Sequence, residues 1–249
     1  DDIDSLLDMG FVRDYISQVA PVPFRERFYW GGEIKNEFAQ SNLNIAEYSV
    51  FVGDSFESLS QIYKPYKITM DFSTRSGVSK DEIQGVSFFD IMDANENVLA
   101  RGWYGELNLY GPISDEKISG IRIRQGNILI GDNKTLSPYF IESRFNNWCV
   151  GELYIVSNEL IPNARRDGFE NNRIFNEFCD NFKKTIGLEL GAKIRSASKA
   201  RNNPMKKALT KTEKTIAEAE RVLETGFNST FEKEQMVKTL EGARKDLYV

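Results

Sequence analysis

The apolar residues of this 249-residue chain follow a β-rich pattern from Lys67 onward and turn to helical spacing after Leu160-Ile161-Pro162-Asn163-Ala164-Arg165-Arg166-Asp167-Gly168-Phe169-Glu170. Before it, alternation dominates: Ile68, Met70 and Phe72 share one face, and Ile121 and Ile123 alternate with Arg122 and Arg124. After it, Ile174, Phe175, Phe178, Phe182 and Ile186 recur at helical spacing, one stripe of an amphipathic helix. Strands interleaved with helices on a single sheet read as α+β or a two-layer sandwich. At the junction, the apolar run Trp148–Val156 reads as a buried strand, and Pro162 cannot continue its ladder. Asn163 or Asp167 can cap the helix that follows. Arg165 and Arg166 ride on this loop, and a guanidinium is permanently charged and forks onto two oxygens, so a phosphate suits it. The competing reading is an ordinary pair of surface arginines near a helix start.

Elsewhere the local signals divide the chain further. Val12–Ala20 reads as a short helix or strand, and Pro21 and Pro23 enforce an extended turn before the cluster Phe24, Phe28, Tyr29, Trp30. Helical spacing is plausible from Glu33 to Gln40, and Tyr48–Val52 looks like the first strand. Val86–Asp93 and Val98–Glu106 flank Ala94-Asn95-Glu96-Asn97, a hairpin signal because Asn tolerates left-handed dihedrals. Gly126-Asn127 turns Ile121–Arg124 back into Ile128–Ile130, and a short helix is expected around Leu136–Glu142. Gly187 and Gly191 are expected to weaken the helix after the junction. Two later amphipathic helices, joined at Gly226-Phe227-Asn228, predict an antiparallel hairpin that packs on its own domain or on a second subunit.

The chain has no histidine, which removes the commonest general base and the commonest zinc ligand. Serine–histidine and cysteine–histidine nucleophile pairs are excluded with it. Two cysteines, Cys149 and Cys179, cannot build a structural zinc site, and reduced buried thiols of a cytoplasmic protein are expected. No apolar run approaches the length of a bilayer span, so no membrane partner is expected. Paired carboxylates such as Asp90/Asp93 and Glu218/Glu220 read as solvated surface. No phosphate-binding G-x-x-x-x-G-K-[ST] loop is present.

The run Phe145-Asn146-Asn147-Trp148-Cys149-Val150-Gly151-Glu152-Leu153, followed by Leu160–Asp167, resembles the middle (transducer) domain of Hsp90-like, HtpG-like GHKL ATPases, as a divergent member. Gly120–Asp132 also resembles that family's central hairpin. The resemblance implies a ribosomal-S5-domain-2-like βαβ two-layer sandwich followed by a helical C-terminal extension. It places Asn163 at the family asparagine, Arg166 at the catalytic arginine and Asp167 at the acidic residue, with Arg165 where chaperone members carry a small polar residue. Glu170 falls where several members have a glutamine that approaches the nucleotide. The implied chemistry is an arginine reaching the γ-phosphate of ATP held with magnesium in a separate N-terminal domain in cis.

The family's nucleotide pocket, a helix with glutamate and asparagine and then an Asp-x-Gly-x-Gly turn, is not found in these residues. ATP and Mg are therefore expected only with that other domain, and Asp1-Asp2-Ile3-Asp4 reads as the start of a fragment, inactive by itself. The expected division is residues 1–60 as a connecting segment, 61–168 as the S5-like domain and 169–249 as the helical extension.

Charge is segregated. Residues 1–60 carry eleven acids against four bases, a balance of −7, whereas 190–214 carry eight bases against one acid, a balance of +7. Lys206, Lys207 and Lys211 lie in the basic segment and form a candidate surface for nucleic acid or an acidic protein. A non-catalytic interaction module using those helices is the alternative function. A solvated helical face is the plainer one.

Overall fold

The computed structural model describes residues 8–74, 77–202, 212–221 and 230–247. The chain divides into two compact units, Asp1–Ile194 and Arg195–Val249.

The first unit is built around one mixed sheet. Its strands are β5 (Gly85–Met92), β6 (Val98–Glu106), β7 (Gly120–Gln125), β8 (Ile128–Ile130) and β9 (Val150–Ile155), in the order β5-β6-β9-β7-β8. Every neighbouring pair is antiparallel except β7 and β9, which run parallel with Ile121 opposite Gly151 and Ile123 opposite Leu153. Two small antiparallel pairs precede it: β1 (Phe51–Val52) with β2 (Ser60–Gln61), and β3 (Thr69–Thr74) with β4 (Gly77–Glu82). The class is α+β.

Alternation along each strand feeds two different cores. Ile91, Ala100, Tyr104, Ile121, Ile123 and Leu153 face a helical side, where α3 (Arg173–Phe182) and the start of α4 (Leu188–Asn202) supply Ile174, Phe178, Phe182, Leu190 and Ile194. Phe88, Trp103, Val150 and Tyr154 face the other side, filled by Phe24, Phe28, Ile34, Phe38, Tyr66 and Met70. The sheet is thus covered on both faces. Residues at both ends of the unit belong to the same body as the sheet because they make its two covers.

Local chemistry explains the elements. The Asp8 carboxylate accepts from Gly10 N at 2.7 Å and Phe11 N at 3.2 Å, which starts α1 (Met9–Val19) as a helix rather than a strand. Asn172 caps α3 through Phe175 N at 2.7 Å. The predicted helix in Glu33–Gln40 is α2 (Trp30–Gln40). Phe24 and Phe28 are buried against Tyr66 and Trp103, ring centroids 5.4–6.2 Å apart, but Tyr29 of the same cluster is 56 % exposed.

Several expectations change in detail. In the Ala94–Asn97 turn the left-handed residue is Glu96, while the Asp93 carboxylate accepts from Asn95 N, Asn97 N and Asn97 Nδ2. The expected Tyr48–Val52 strand shortens to two residues. The expected helix at Leu136–Glu142 is a 3-10 turn at Ser137–Tyr139, followed by another at Ser143–Trp148. Proline at the start and the short span favour that tighter turn. Gly187 does not end the helix: a π turn over Lys183–Gly187 joins α3 to α4, and glycine there lets the backbone pass against Tyr139 O, where any Cβ would collide. Asp90 is not merely solvated, because it holds Arg101 through two 2.6 Å bonds. Both cysteines are free and buried.

In the second unit, residues 212–221 form α5 and Thr230–Leu247 form α6. On α5 Ala219 is buried and Ile216 exposed, so its covered side runs through Ala219. Met236 and Leu240 of α6, four residues apart, are both half-buried. The Gly226-Phe227-Asn228 turn lies outside the described residues. Among the described residues, no helix is long and apolar enough to cross a membrane.

Candidate functional site

Beyond β9 the chain makes a tight loop whose two sides meet at the bridge between Pro162 and Phe169. Leu160, fully buried, and Phe169, 9 % exposed, anchor the two sides in the helical core. Asn163 N donates to Gly168 O at 3.0 Å, and Glu170 N to Ile161 O at 2.8 Å, so the loop closes as a backbone ladder. Pro162 sits where no ladder N–H is required of it.

Inside the ladder, Asn163 and Asp167 clamp each other. Asn163 Nδ2 donates to Asp167 Oδ1 at 2.7 Å, and Asp167 N donates to Asn163 Oδ1 at 3.2 Å. The Arg165 guanidinium donates to the other carboxylate oxygen of Asp167. The Asn163 hydrogen bond and then Arg165 hold the Asp167 carboxyl below its ordinary pKa, so it stays ionised. Neither Asn163 nor Asp167 caps the following helix; Asn172 does that, and these two instead fix the loop.

Arg166 is different. Its φ of +56° is left-handed, a conformation that costs a non-glycine residue roughly 1–3 kcal/mol. Two backbone bonds hold it there: Arg166 N donates to Asn163 O at 2.9 Å, and Gly131 N donates to Arg166 O at 2.8 Å. Gly131 itself has φ +68°, and a Cβ on it would collide with Thr135 Oγ1 and press on Asp167 O. The turn after β8 is therefore a brace for the arginine loop. The Arg166 side chain is exposed and, among the described residues, makes no hydrogen bond or ion pair.

The structure thus brings Asn163, Arg165, Arg166 and Asp167 into one turn, with Glu170 exposed just beyond the bridge. Lys206, Lys207 and Lys211 lie outside the described residues. Among the described residues, no three His, Cys, Asp or Glu side chains converge to hold a metal ion. A lone forked cation on a rigid turn suits a phosphate group presented from outside; it does not make a nucleotide pocket.

The sequence reading missed a second cluster, on the other face of the sheet. Glu152 on β9 receives Lys64 Nζ at 2.7 Å, Tyr154 OH at 2.5 Å and the Arg124 guanidinium, with Lys64, Arg124 and Glu152 all without exposure. Lys64 Nζ also bonds Tyr154 OH at 2.7 Å and lies 4.5 Å from the centre of the Phe24 ring. Arg124 continues to Asn127 O at 3.0 Å and Gln18 O at 2.9 Å, tying α1 to the sheet. Burial pushes the Glu152 carboxyl up, but Arg124 and Lys64 outweigh it and hold it down at about 2. Burial, and then Arg124, pull the Lys64 amine down to about 7. The available signal was an acid inside an apolar strand, Glu152, opposite a strand with two inward arginines.

No family model matches the chain, and no match is found among curated proteins or solved structures.

Proposed function

We propose that this chain is the arginine-delivering middle domain of an Hsp90-like ATPase, working beside an ATP-binding domain on its N-terminal side in the cytoplasm. One observation carries the reading: Arg166 is held in a strained backbone state by two hydrogen bonds while its guanidinium is exposed and, among the described residues, unpaired. Its neighbour Arg165 is occupied by Asp167. Strain of this kind persists only where the surroundings over-determine it, and it points to function. The five-stranded mixed sheet with helices packed on it is compatible with the S5-like fold that the resemblance implies, although the cover from residues 24–70 on its second face is additional to a two-layer sandwich.

ATP with its magnesium, bound in the other domain, supplies the phosphoryl group that is transferred to water. The chain's own part is to present Arg166 to the γ-phosphate oxygens as the two domains close. The turn is already ordered, so little conformational entropy is lost on docking. Charge that develops on those oxygens then meets a fixed cation, an effect of about 10³–10⁵ in rate for arginine fingers. Arg165, Asp167 and Asn163 are positioning residues for that turn. Glu170 stands at its edge, where a carboxylate can order an approaching amide or water.

The experiment is ATP hydrolysis by the full-length protein with Arg166→Ala. Turnover that falls at least about tenfold with unchanged nucleotide affinity supports the reading, because the loss then lies in the transition state. Wild-type turnover removes it.

A further inference from the structure

An open cleft of about 770 Å³ lies on the N-terminal side of the first unit, between α1, the 25–27 turn, residues 60–69 and the 115–117 loop. None of its walls belongs to the arginine loop. Five cations line it, Arg13, Arg25, Arg27, Lys67 and Lys117, against two carboxylates, Asp14 and Asp115. Both carboxylates are taken at the rim: Asp14 by Lys117 at 3.0 Å and Asp115 by Lys67 at 3.5 Å. The three arginines are left without a counter-ion among the described residues.

Each arginine is placed differently. Arg13 is half-buried, gives one terminal nitrogen to Val52 O at 3.0 Å, and keeps its Nε buried without an acceptor. Arg25 is exposed, with its Cζ 5.6 Å from the centre of the Tyr63 ring, a cation–π distance. Arg27 is exposed at the mouth.

We infer that this cleft is a binding site for a small ligand carrying two or more linked or neighbouring phosphates. Size separates it from a polymer site: the volume is in the range of small-molecule pockets, about 300–1,000 Å³, whereas nucleic acid tracks an extended basic stripe. Charge argues for an anionic ligand, since three guanidiniums on its walls find no counter-ion among the described residues. Three guanidiniums around one cavity offer more fork donors than one phosphate needs, so a ligand with two anionic groups makes the fullest use of them. The site stands apart from the proposed ATPase role and survives its failure.

The test is calorimetry on the 249-residue chain with orthophosphate, pyrophosphate, ADP and inositol hexakisphosphate, in about 50 mM salt so that screening stays modest. The site is supported if pyrophosphate, ADP or inositol hexakisphosphate binds at least about tenfold tighter than orthophosphate. The tightest of the three identifies whether an inorganic, nucleotide or inositol carrier is used. Arg27→Gln, at an exposed position, should weaken that binding by roughly tenfold. Arg25→Gln should do the same, and Lys80→Gln, outside the cleft, should leave it unchanged. Equal affinity for orthophosphate and the larger ligands overturns the inference. So does full binding by Arg25→Gln and Arg27→Gln, or a single-stranded RNA that binds tighter than every small phosphate.

Discussion

Lys64 Nζ and Glu152 Oε2 stand 2.7 Å apart in a place that water does not reach, and eighty-eight residues of chain separate them. Lys64 arrives on the segment that covers one face of the sheet, with its own N–H bonded to Pro23 O at 2.9 Å; Glu152 belongs to the strand between β6 and β7. Their contact therefore fastens the N-terminal cover to the sheet. Two buried charges gain little over a well-packed apolar pair, but losing one partner is severe.

Glu152→Gln leaves Lys64 and Arg124 facing each other without an anion. Destabilisation of roughly 3–5 kcal/mol is expected, the usual effect of breaking a buried pair from one side. Lys64→Met should be milder, since Arg124 and Tyr154 still satisfy Glu152. Urea unfolding ranks the two variants. A larger loss for Lys64→Met would contradict the idea that Glu152 is the hub.

The same pair sets a pH profile. Lys64 has a folded pKa of about 7 against an ordinary 10.5, so between those values the unfolded chain binds more protons and stability rises with pH. Below pH 7 both states carry the proton, and the burial penalty is fully present. Glu152 adds a second rise of the same sign at acid pH: held at about 2 against 4.5, it stabilises fully above pH 4.5, and the benefit is lost as pH falls towards 2. Unfolding curves from pH 3 to pH 10 should show both slopes, with Lys64→Met removing the upper one and shrinking the lower, which Arg124 still supports. An unchanged slope above pH 7 in Lys64→Met would assign that rise to other groups.

What could be read beforehand was local. The 94–97 hairpin, Gly126-Asn127 and the Ile174–Ile186 stripe are each settled by residues within a few positions, so turn chemistry and period suffice, whereas Val12–Ala20 reads equally as helix or strand until the Asp8 cap is seen. The insertion of β9 between β6 and β7 is a non-local choice, and spacing is silent about it. Alternation put Arg122 and Arg124 on one face but could not say that the face is sealed by Lys64, Gln18 and Tyr66 from far upstream. The arginine loop was legible as a loop, through Pro162 and the arginine pair. Its left-handed Arg166 and its brace at Gly131 were not, because both depend on a contact between separate segments.

That brace gives a prediction of its own. Gly131→Ala introduces a Cβ at φ +68° against Thr135 Oγ1, and the turn must shift to make room. The bond from Gly131 N to Arg166 O should weaken, and the arginine loop should lose its fixed backbone. In the full-length protein, turnover should fall several-fold with nucleotide affinity kept, and amide exchange should quicken at 163–168. Fast exchange with full activity would mean that preorganisation of the loop is irrelevant to turnover.

Lys206, Lys207 and Lys211 carry a separate expectation, drawn from the basic segment 190–214. Binding to DNA, RNA or an acidic protein should be weak and steeply reduced by salt, since ion release drives it. Reversing the three charges to Glu should abolish it while leaving the thermal midpoint of the first unit in place. Equal binding by the wild type and the reversed chain would leave a solvated face.

The two arginines of the loop offer the sharpest contrast. Arg165 is bound to Asp167, whereas the Arg166 side chain is, among the described residues, unpaired on a backbone that strain and two hydrogen bonds define. In the full-length protein, Arg166→Ala should cut ATP hydrolysis at least about tenfold with near-normal nucleotide affinity, the signature of an interaction made mainly in the transition state. Arg166→Lys should rescue it only in part, because a point charge does not reproduce the guanidinium fork. Arg165→Ala should act through the clamp: a smaller loss, with faster exchange at 163–168 that Arg166→Ala does not show. If both arginines reach phosphate, each single change will be mild and the double change severe, the non-additivity of groups that act as a unit. The 249-residue chain alone should release no phosphate from ATP in a coupled assay. Turnover by that chain would place the whole active site within these residues and end the two-domain reading.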